Sequence, residues 1–169
     1  MKEVIVVLYN IRSVYNVASI FRTADGAGIL KVYLVGATPT PLDRFGKFRA
    51  DFAKVALGAE GTVGWEYFKN FGAVYKKLRK SASGRTPNGG YEILAAEQDK
   101  KSIPYFKYRP TKNKNLALIL GEETKGLPKS VLNKADKILE IPMRGEKESL
   151  NVSVATGILV YYIMVGHNE

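Results

Sequence analysis

Residues 141–155 read Ile-Pro-Met-Arg-Gly-Glu-Lys-Glu-Ser-Leu-Asn-Val-Ser-Val-Ala. The segment opens on a strand end predicted over 137–142, passes a turn at Gly145, and enters a polar helix start at Glu148, Ser149 and Asn151. A long apolar helix is predicted over 149–165. Working back along the chain, 128–134 predicts a short helix with Pro128 at a tolerated first-turn position. Residues 116–121 are apolar throughout and predict a central strand, with another over 91–96. Near the N-terminus, 3–9 and 30–35 predict strands flanking a helix over 14–28, where Val17, Ile20, Phe21 and Ala24 recur at spacings of three and four. Residues 38–41 predict a loop, and 43–57, carrying Phe45, Phe48 and Phe52, a helix or a mobile loop. A strand over 62–67, a helix over 70–79 and a loop over 81–90 complete the pattern. Strands alternating with helices predict an α/β fold, a mostly parallel sheet with helices on both faces.

Composition narrows the chemistry. A chain of 169 residues is expected to form one domain. It contains no cysteine, which excludes disulfide scaffolds, thiol catalysis and thiolate zinc sites. Histidine occurs once, as His167, so a His-based metal cluster is excluded and a Ser/His/Asp triad would have to use that residue. No metal is expected. The opening MKEVIVVLYN is too short and carries Glu3, unlike a signal peptide. The longest apolar stretch, 155–165, falls well short of the roughly 20 residues that span a bilayer. A cytoplasmic protein with no membrane association is the expectation.

The formal charge is +10. Residues 69–115 hold 12 basic against 3 acidic residues, so nearly all the excess sits there. Tyr75, Tyr91, Tyr105, Phe106 and Tyr108 lie among those cations. Cations that track phosphates and aromatics that stack on bases predict a nucleic-acid partner whose affinity falls steeply with salt.

Two phosphate-binding patterns fail. Gly26-Ala27-Gly28 opens like a dinucleotide fingerprint, but Lys31 stands where glycine is needed. Gly121 to Gly126 opens like a P-loop, but Leu127 and Pro128 replace the required Lys and Ser/Thr. Three segments remain. Asn16 and Arg22 lie six residues apart, about 600° around a helix, and so share a face only loosely. Read plainly, they are a helix-start residue and a surface cation. The second is Gly121-Glu-Glu-Thr-Lys-Gly126, directly after a buried strand, where α/β proteins bind ligands; its ordinary reading is a tight turn with two glycines. The third is 141–155, whose Ser149 and Asn151 also suit helix capping.

In this order the three segments resemble the SpoU/TrmH family of RNA ribose 2′-O-methyltransferases of the SPOUT superfamily. Asn16 and Arg22 match its first motif, Gly121, Glu123 and Gly126 its Gly-x-Glu-x-x-Gly, and Ile141 through Ala155 its long third motif. Residues 56–60 and 65–66 also resemble compact members, whereas 81–90 and 97–115 are least alike. The resemblance implies a single domain over 1–169 with a deep C-terminal trefoil knot over about 116–169, a topology that general rules would reject. It further implies S-adenosyl-L-methionine as cofactor, a homodimer with active sites near the interface, and RNA as substrate. Leu94, Gly121, Ile141, Ser149 and Leu150 would hold the cofactor. Arg22, Asn16, Glu123, Ser149 and Asn151 would form the catalytic set, with Arg22 facing the cofactor pocket across the twofold axis.

The first motif begins near residue 10, so no RNA-binding extension is expected before it. Compact members of this kind resemble tRNA-modifying enzymes, which favours tRNA over rRNA. The alternatives are an rRNA ribose methyltransferase, a non-catalytic RNA-binding relative, or a methyltransferase acting on a base nitrogen. The Asn16/Arg22 pair favours ribose. A guanidinium keeps its proton near neutral pH, so the role expected of Arg22 is to grip phosphate and stabilise the developing alkoxide rather than act as a base.

Overall fold

The computed structural model describes residues 3–80, 90–111 and 114–165. Most of the predicted loop over 81–90 and the single His167 lie outside the described residues. Seven strands form one sheet: β1 (Val4–Tyr9), β2 (Lys31–Val35), β3 (Gly64–Phe68), β4 (Glu92–Ala96), β5 (Ile103–Pro104), β6 (Leu116–Leu120) and β7 (Lys137–Glu140). Their order is β3-β2-β1-β6-β4-β7-β5, and every pairing is parallel. Among the described residues six α-helices accompany them: α1 (Val14–Gly26), α2 (Ala50–Ala56), α3 (Ala59–Thr62), α4 (Phe71–Lys80), α5 (Lys129–Leu132) and, after the last strand, α6 (Val152–Val165).

The inner strands β1, β2, β4 and β6 are buried on nearly consecutive positions because both sheet faces are covered there. Val6 and Leu8 of β1, Leu118 of β6 and Leu94 of β4 point to the layer holding α1, α2, α3 and α6. Ile5 and Val7, Ile119, and Ile93 and Ala95 point to the layer holding α4 and α5. Phe52 of α2, fully buried, meets Phe21 of α1 edge-on at 5.2 Å. A bidentate pair between Arg79 and Asp136 (Nη1–Oδ2 3.1 Å, Nη2–Oδ1 2.9 Å) ties α4 to the start of β7. Asp136 Oδ2 also accepts the Ile93 amide at 2.8 Å. Burial pushes the Asp136 carboxyl up, but Arg79 and that amide outweigh it and hold the group below the usual carboxylate range.

Several predicted boundaries move for identifiable reasons. The final helix begins at Val152, not Ser149, because Asn151 caps it: its Oδ1 accepts the Ser153 amide at 2.8 Å, and its carbonyl accepts Ala155 N at 2.9 Å. The segment predicted over 43–57 divides. Only 50–56 is helical, because Asp43 and Gly46 (φ +77°) first close a tight turn. The strand predicted from residue 62 starts at Gly64, since Thr62 ends the single turn α3 and donates its hydroxyl to Asp25 Oδ1 at 2.7 Å. The two-residue β5 carries no sequence signal of its own.

The basic middle segment is also less uniform than its composition. Tyr91 and Tyr108 are core residues at 3% and 5% exposure, so neither offers a face to a base. Lys77 pairs with Glu66, Arg79 with Asp136 and Lys114 with Glu92, which neutralises three of its cations.

Candidate active site

Parallel α/β sheets bind ligands beyond the carboxyl ends of their strands, and a cavity of about 380 Å³ opens there, past β4, β6 and β7. Its walls come from three loops. Ala96, Glu97 and Gln98 follow β4, residues 121–126 follow β6, and Ile141, Met143 and 148–150 follow β7. Leu159 and Ala155 of α6 complete the apolar side.

The loop 121–126 closes on itself through the Gly126 amide and the Glu122 carbonyl at 2.9 Å. Its glycines have separate reasons. A Cβ on Gly121 would stand 2.6 Å from the Gly126 carbonyl carbon and 2.8 Å from Leu127 N, so two backbone segments meet there. Gly126 adopts φ +62° and its Cβ would collide with Glu97 Oε2. That oxygen accepts the Leu127 amide at 2.8 Å and buttresses the loop from β4.

Asn16, on the first turn of α1, donates from Nδ2 to Glu123 Oε1 at 2.5 Å. Its Oδ1 accepts Nδ2 of Asn151 at 3.1 Å. Side chains 107 and 135 residues apart in sequence thus form one hydrogen-bonded chain at the cavity rim. Arg12 Nε lies 3.4 Å from Glu122 Oε2, a second link between the start of α1 and the loop. Gln98 Nε2 donates to the Glu148 carbonyl at 2.5 Å and clasps the β4 and β7 loops together.

Among the predicted site residues, Gly121, Glu123, Ile141, Ser149 and Leu150 line the cavity. Asn16 and Asn151 are joined to it through Glu123. Leu94 lies elsewhere: it is fully buried in the sheet, two residues before the cavity-lining Ala96. Arg22 is exposed on α1 and does not line the cavity of its own chain. Glu97 and Gln98, which the sequence reading did not single out, belong to the site. Neither sits in a recognisable motif, and only the pairing of β4 beside β6 brings them there.

Five glutamates, Glu97, Glu122, Glu123, Glu140 and Glu148, line the cavity against one cation, Lys125. In a chain of formal charge +10, this is a local acidic pocket with apolar walls at Leu120, Ile141 and Leu159. Such a lining suits a cationic ligand with a flat apolar part.

The parallel sheet, the cavity at its strand ends and the loops that build it define an α/β domain with a ligand site at the carboxyl ends of its strands. The chain belongs to the SpoU rRNA Methylase family, whose profile matches residues 3–161. It is 32% identical over 161 residues to the tRNA (guanosine(18)-2′-O)-methyltransferase of Aquifex aeolicus, an alignment covering 95% of this chain and 68% of that one. It is 29% identical over 157 residues to the 23S rRNA (guanosine-2′-O-)-methyltransferase RlmB of Escherichia coli, covering 93% of this chain and 58% of that one. The AdoMet-bound rRNA methyltransferase of Sinorhizobium meliloti superposes with a TM-score of 0.80 at 27% identity, over 94% of this chain and 54% of the other. The chain therefore spans little more than half the length of the two rRNA enzymes. No helix among the described residues is long and apolar enough to cross a membrane.

Proposed function

We propose that this chain transfers a methyl group from S-adenosyl-L-methionine to a ribose 2′-hydroxyl of RNA, with tRNA the favoured substrate, in the cytoplasm. The observation that carries the reading is the Asn151–Asn16–Glu123 chain, with Asn16 in the middle, which gathers all three family-like segments at one acidic, apolar-walled cavity. The cavity fits the cofactor by its chemistry: the carboxylates of its lining would favour a cationic sulfonium and ammonium group, and Leu120, Ile141 and Leu159 would offer an apolar surface to adenine.

When bound, the cofactor supplies an electrophilic methyl on sulfur. The protein must place the hydroxyl in line with it, accept the released proton, and balance charge as the sulfonium is neutralised. Gly121, Ile141, Ser149 and Leu150 hold the adenosine part. Asn16, itself held by Asn151, fixes Glu123 at the rim. Arg22 grips the substrate phosphate and stabilises the developing alkoxide, while the proton leaves through phosphate, Ser149 or water.

Arg22 does this for the cavity of a second copy. Val154, Tyr161 and Val165 of α6 are 51%, 46% and 56% exposed and fall on one stripe with Ile158. An apolar stripe of this kind on a soluble surface marks a protein interface. It borders α1, since a Cβ on Gly26 would lie 3.2 Å from the Tyr161 hydroxyl. A homodimer closed through α1 and α6 buries the stripe and presents Arg22 to the partner's cavity.

We also read 1–169 as one domain whose tail from about residue 116 is knotted. In support, β6 inserts between β1 and β4, and β7 between β4 and β5. The chain then runs past Gln98 to place α6 on the opposite face, against α1.

The test is Arg22→Ala. Methyl transfer to tRNA falls by about three orders of magnitude, as for loss of a charge-stabilising group, with cofactor affinity unchanged by calorimetry. Loss of cofactor binding in that variant would refute the assignment. Alkaline hydrolysis of the product separates ribose from base methylation, because a 2′-O-methyl blocks cleavage at its own linkage.

A further inference from the structure

We propose that the hairpin turn at residues 42–48 is a rigid finger that stacks on an unpaired nucleotide of the substrate RNA; the proposal rests on the RNA reading above. Its sequence is Leu-Asp-Arg-Phe-Gly-Lys-Phe. Phe45 and Phe48 are 72% and 54% exposed, whereas Phe52, four residues on, is fully buried. Large aromatics held in water by a closed turn need a reason, because burial would stabilise them.

The turn is held from within. Asp43 Oδ1 accepts the amides of Phe45 at 2.8 Å and Lys47 at 3.0 Å. The Asp43 amide donates to the Lys47 carbonyl at 2.8 Å, and Leu42 pairs with Phe48 as an antiparallel bridge. The acidic side chain is thus committed to the backbone. Asp51 is committed to Arg49, through Nε at 3.1 Å and Nη2 at 2.8 Å. The two remaining cations, Arg44 and Lys47, form no ion pair among the described residues. The Arg44 guanidinium lies over the Phe45 ring at 4.7 Å. A preformed aromatic face beside unpaired cations matches a base and its flanking phosphates, and a rigid ring loses little entropy on stacking. A second copy of this chain, itself of charge +10, is the poorer complement.

The finger also stands on the correct edge. It follows β2, whose end is fastened to the end of β1. Asn10 Oδ1 accepts the Ala37 amide at 2.9 Å, and Thr38 Oγ1 accepts the Ile11 amide at 3.1 Å. The next residue, Arg12, holds the cavity loop at Glu122. With β1 between β2 and β6, the root of the finger lies two strand spacings, roughly 10 Å, from the end of β6. Both features face one RNA.

The test uses the full chain with Phe45→Ala, Phe45→Trp and the pair Arg44→Ala/Lys47→Ala. The probes are total tRNA, a single-stranded oligouridine and a blunt RNA duplex. Phe45→Ala weakens tRNA and oligouridine binding by about 5- to 150-fold, the range of one lost base–aromatic stack, and leaves duplex binding unchanged. Phe45→Trp restores affinity, and its emission is quenched by oligouridine. The double variant lowers the salt slope by about two. In all three, the affinity for S-adenosyl-L-methionine and the sedimentation mass stay at the unsubstituted values. Unchanged tRNA affinity in Phe45→Ala, with methyl transfer intact in the unsubstituted protein, overturns the finger alone. A changed mass makes the turn a contact between copies and overturns it too. An unsubstituted protein that neither binds nor methylates RNA removes the underlying function as well.

Discussion

Gly126→Ala measures how the cavity loop is held. At φ +62°, a residue with a Cβ costs about 1–2 kcal/mol more than glycine. The new methyl also occupies the position of Glu97 Oε2. That carboxylate is the end of a flexible side chain and can withdraw, but only by releasing the Leu127 amide it accepts at 2.8 Å. Leu127 is 5% exposed, and a buried amide left without a partner costs about 1–3 kcal/mol. Together the terms give a loss of about 2–5 kcal/mol. In urea this appears as a midpoint lowered by roughly 1–2 M at unchanged slope. Glu97→Ala alone releases the same amide. In the double variant Gly126→Ala then adds only the backbone strain, and the two losses sum to about 1–3 kcal/mol more than the double variant shows. Calorimetry with S-adenosyl-L-methionine shows affinity lowered at least about tenfold in Gly126→Ala, because both residues line the cavity. Strict additivity, or a single-variant loss below about 0.5 kcal/mol, would refute the buttress.

Asn16→Ala removes both side-chain links at the rim, to Glu123 and to Asn151. Methyl transfer from labelled cofactor should fall about 100-fold through misplacement, while the melting midpoint moves little because the cluster is solvent-exposed. Asp136, held below the usual carboxylate range, makes stability depend on acid. Its contribution is fully present above the unfolded carboxylate value of about 3.9 and is lost as pH falls through the lower folded value. Asp136→Asn should flatten that acid limb in urea titrations from pH 5 downward, and a limb of unchanged steepness would exclude the pair as its source. Leu57 ends α2 at φ +53° while 64% exposed. Leu57→Gly should therefore raise stability by about 1 kcal/mol, read from the urea midpoint; a loss would show that the Leu57 side chain makes contacts that outweigh its strain.

Much of the architecture is legible locally. Double-sided apolar strands such as Leu116–Leu120 announce a covered parallel sheet, and the spacing of Val17, Ile20, Phe21 and Ala24 announces the buried face of α1. The residues that the motifs single out are also brought together: Asn16 joins Glu123 to Asn151 at one rim. Glu97 is not legible, because its value comes from β4 pairing beside β6 and from a backbone amide 30 positions away. Nor is the division among the phenylalanines. Phe45, Phe48 and Phe52 look alike in the chain, yet one packs on Phe21 and two face water, since a turn closed by Asp43 intervenes.

By itself, then, the amino-acid order determined which segments extend, which coil, and which polar groups are available for chemistry, because propensity, periodicity and motif act over short stretches. Only the folded chain decided that Asn16 bonds both Glu123 and Asn151, that Leu94 sits in the core while Gln98 reaches the cavity, and that Arg22 does not line the cavity of its own chain. Those outcomes depend on how distant strands and helices assemble, and no local preference encodes that assembly.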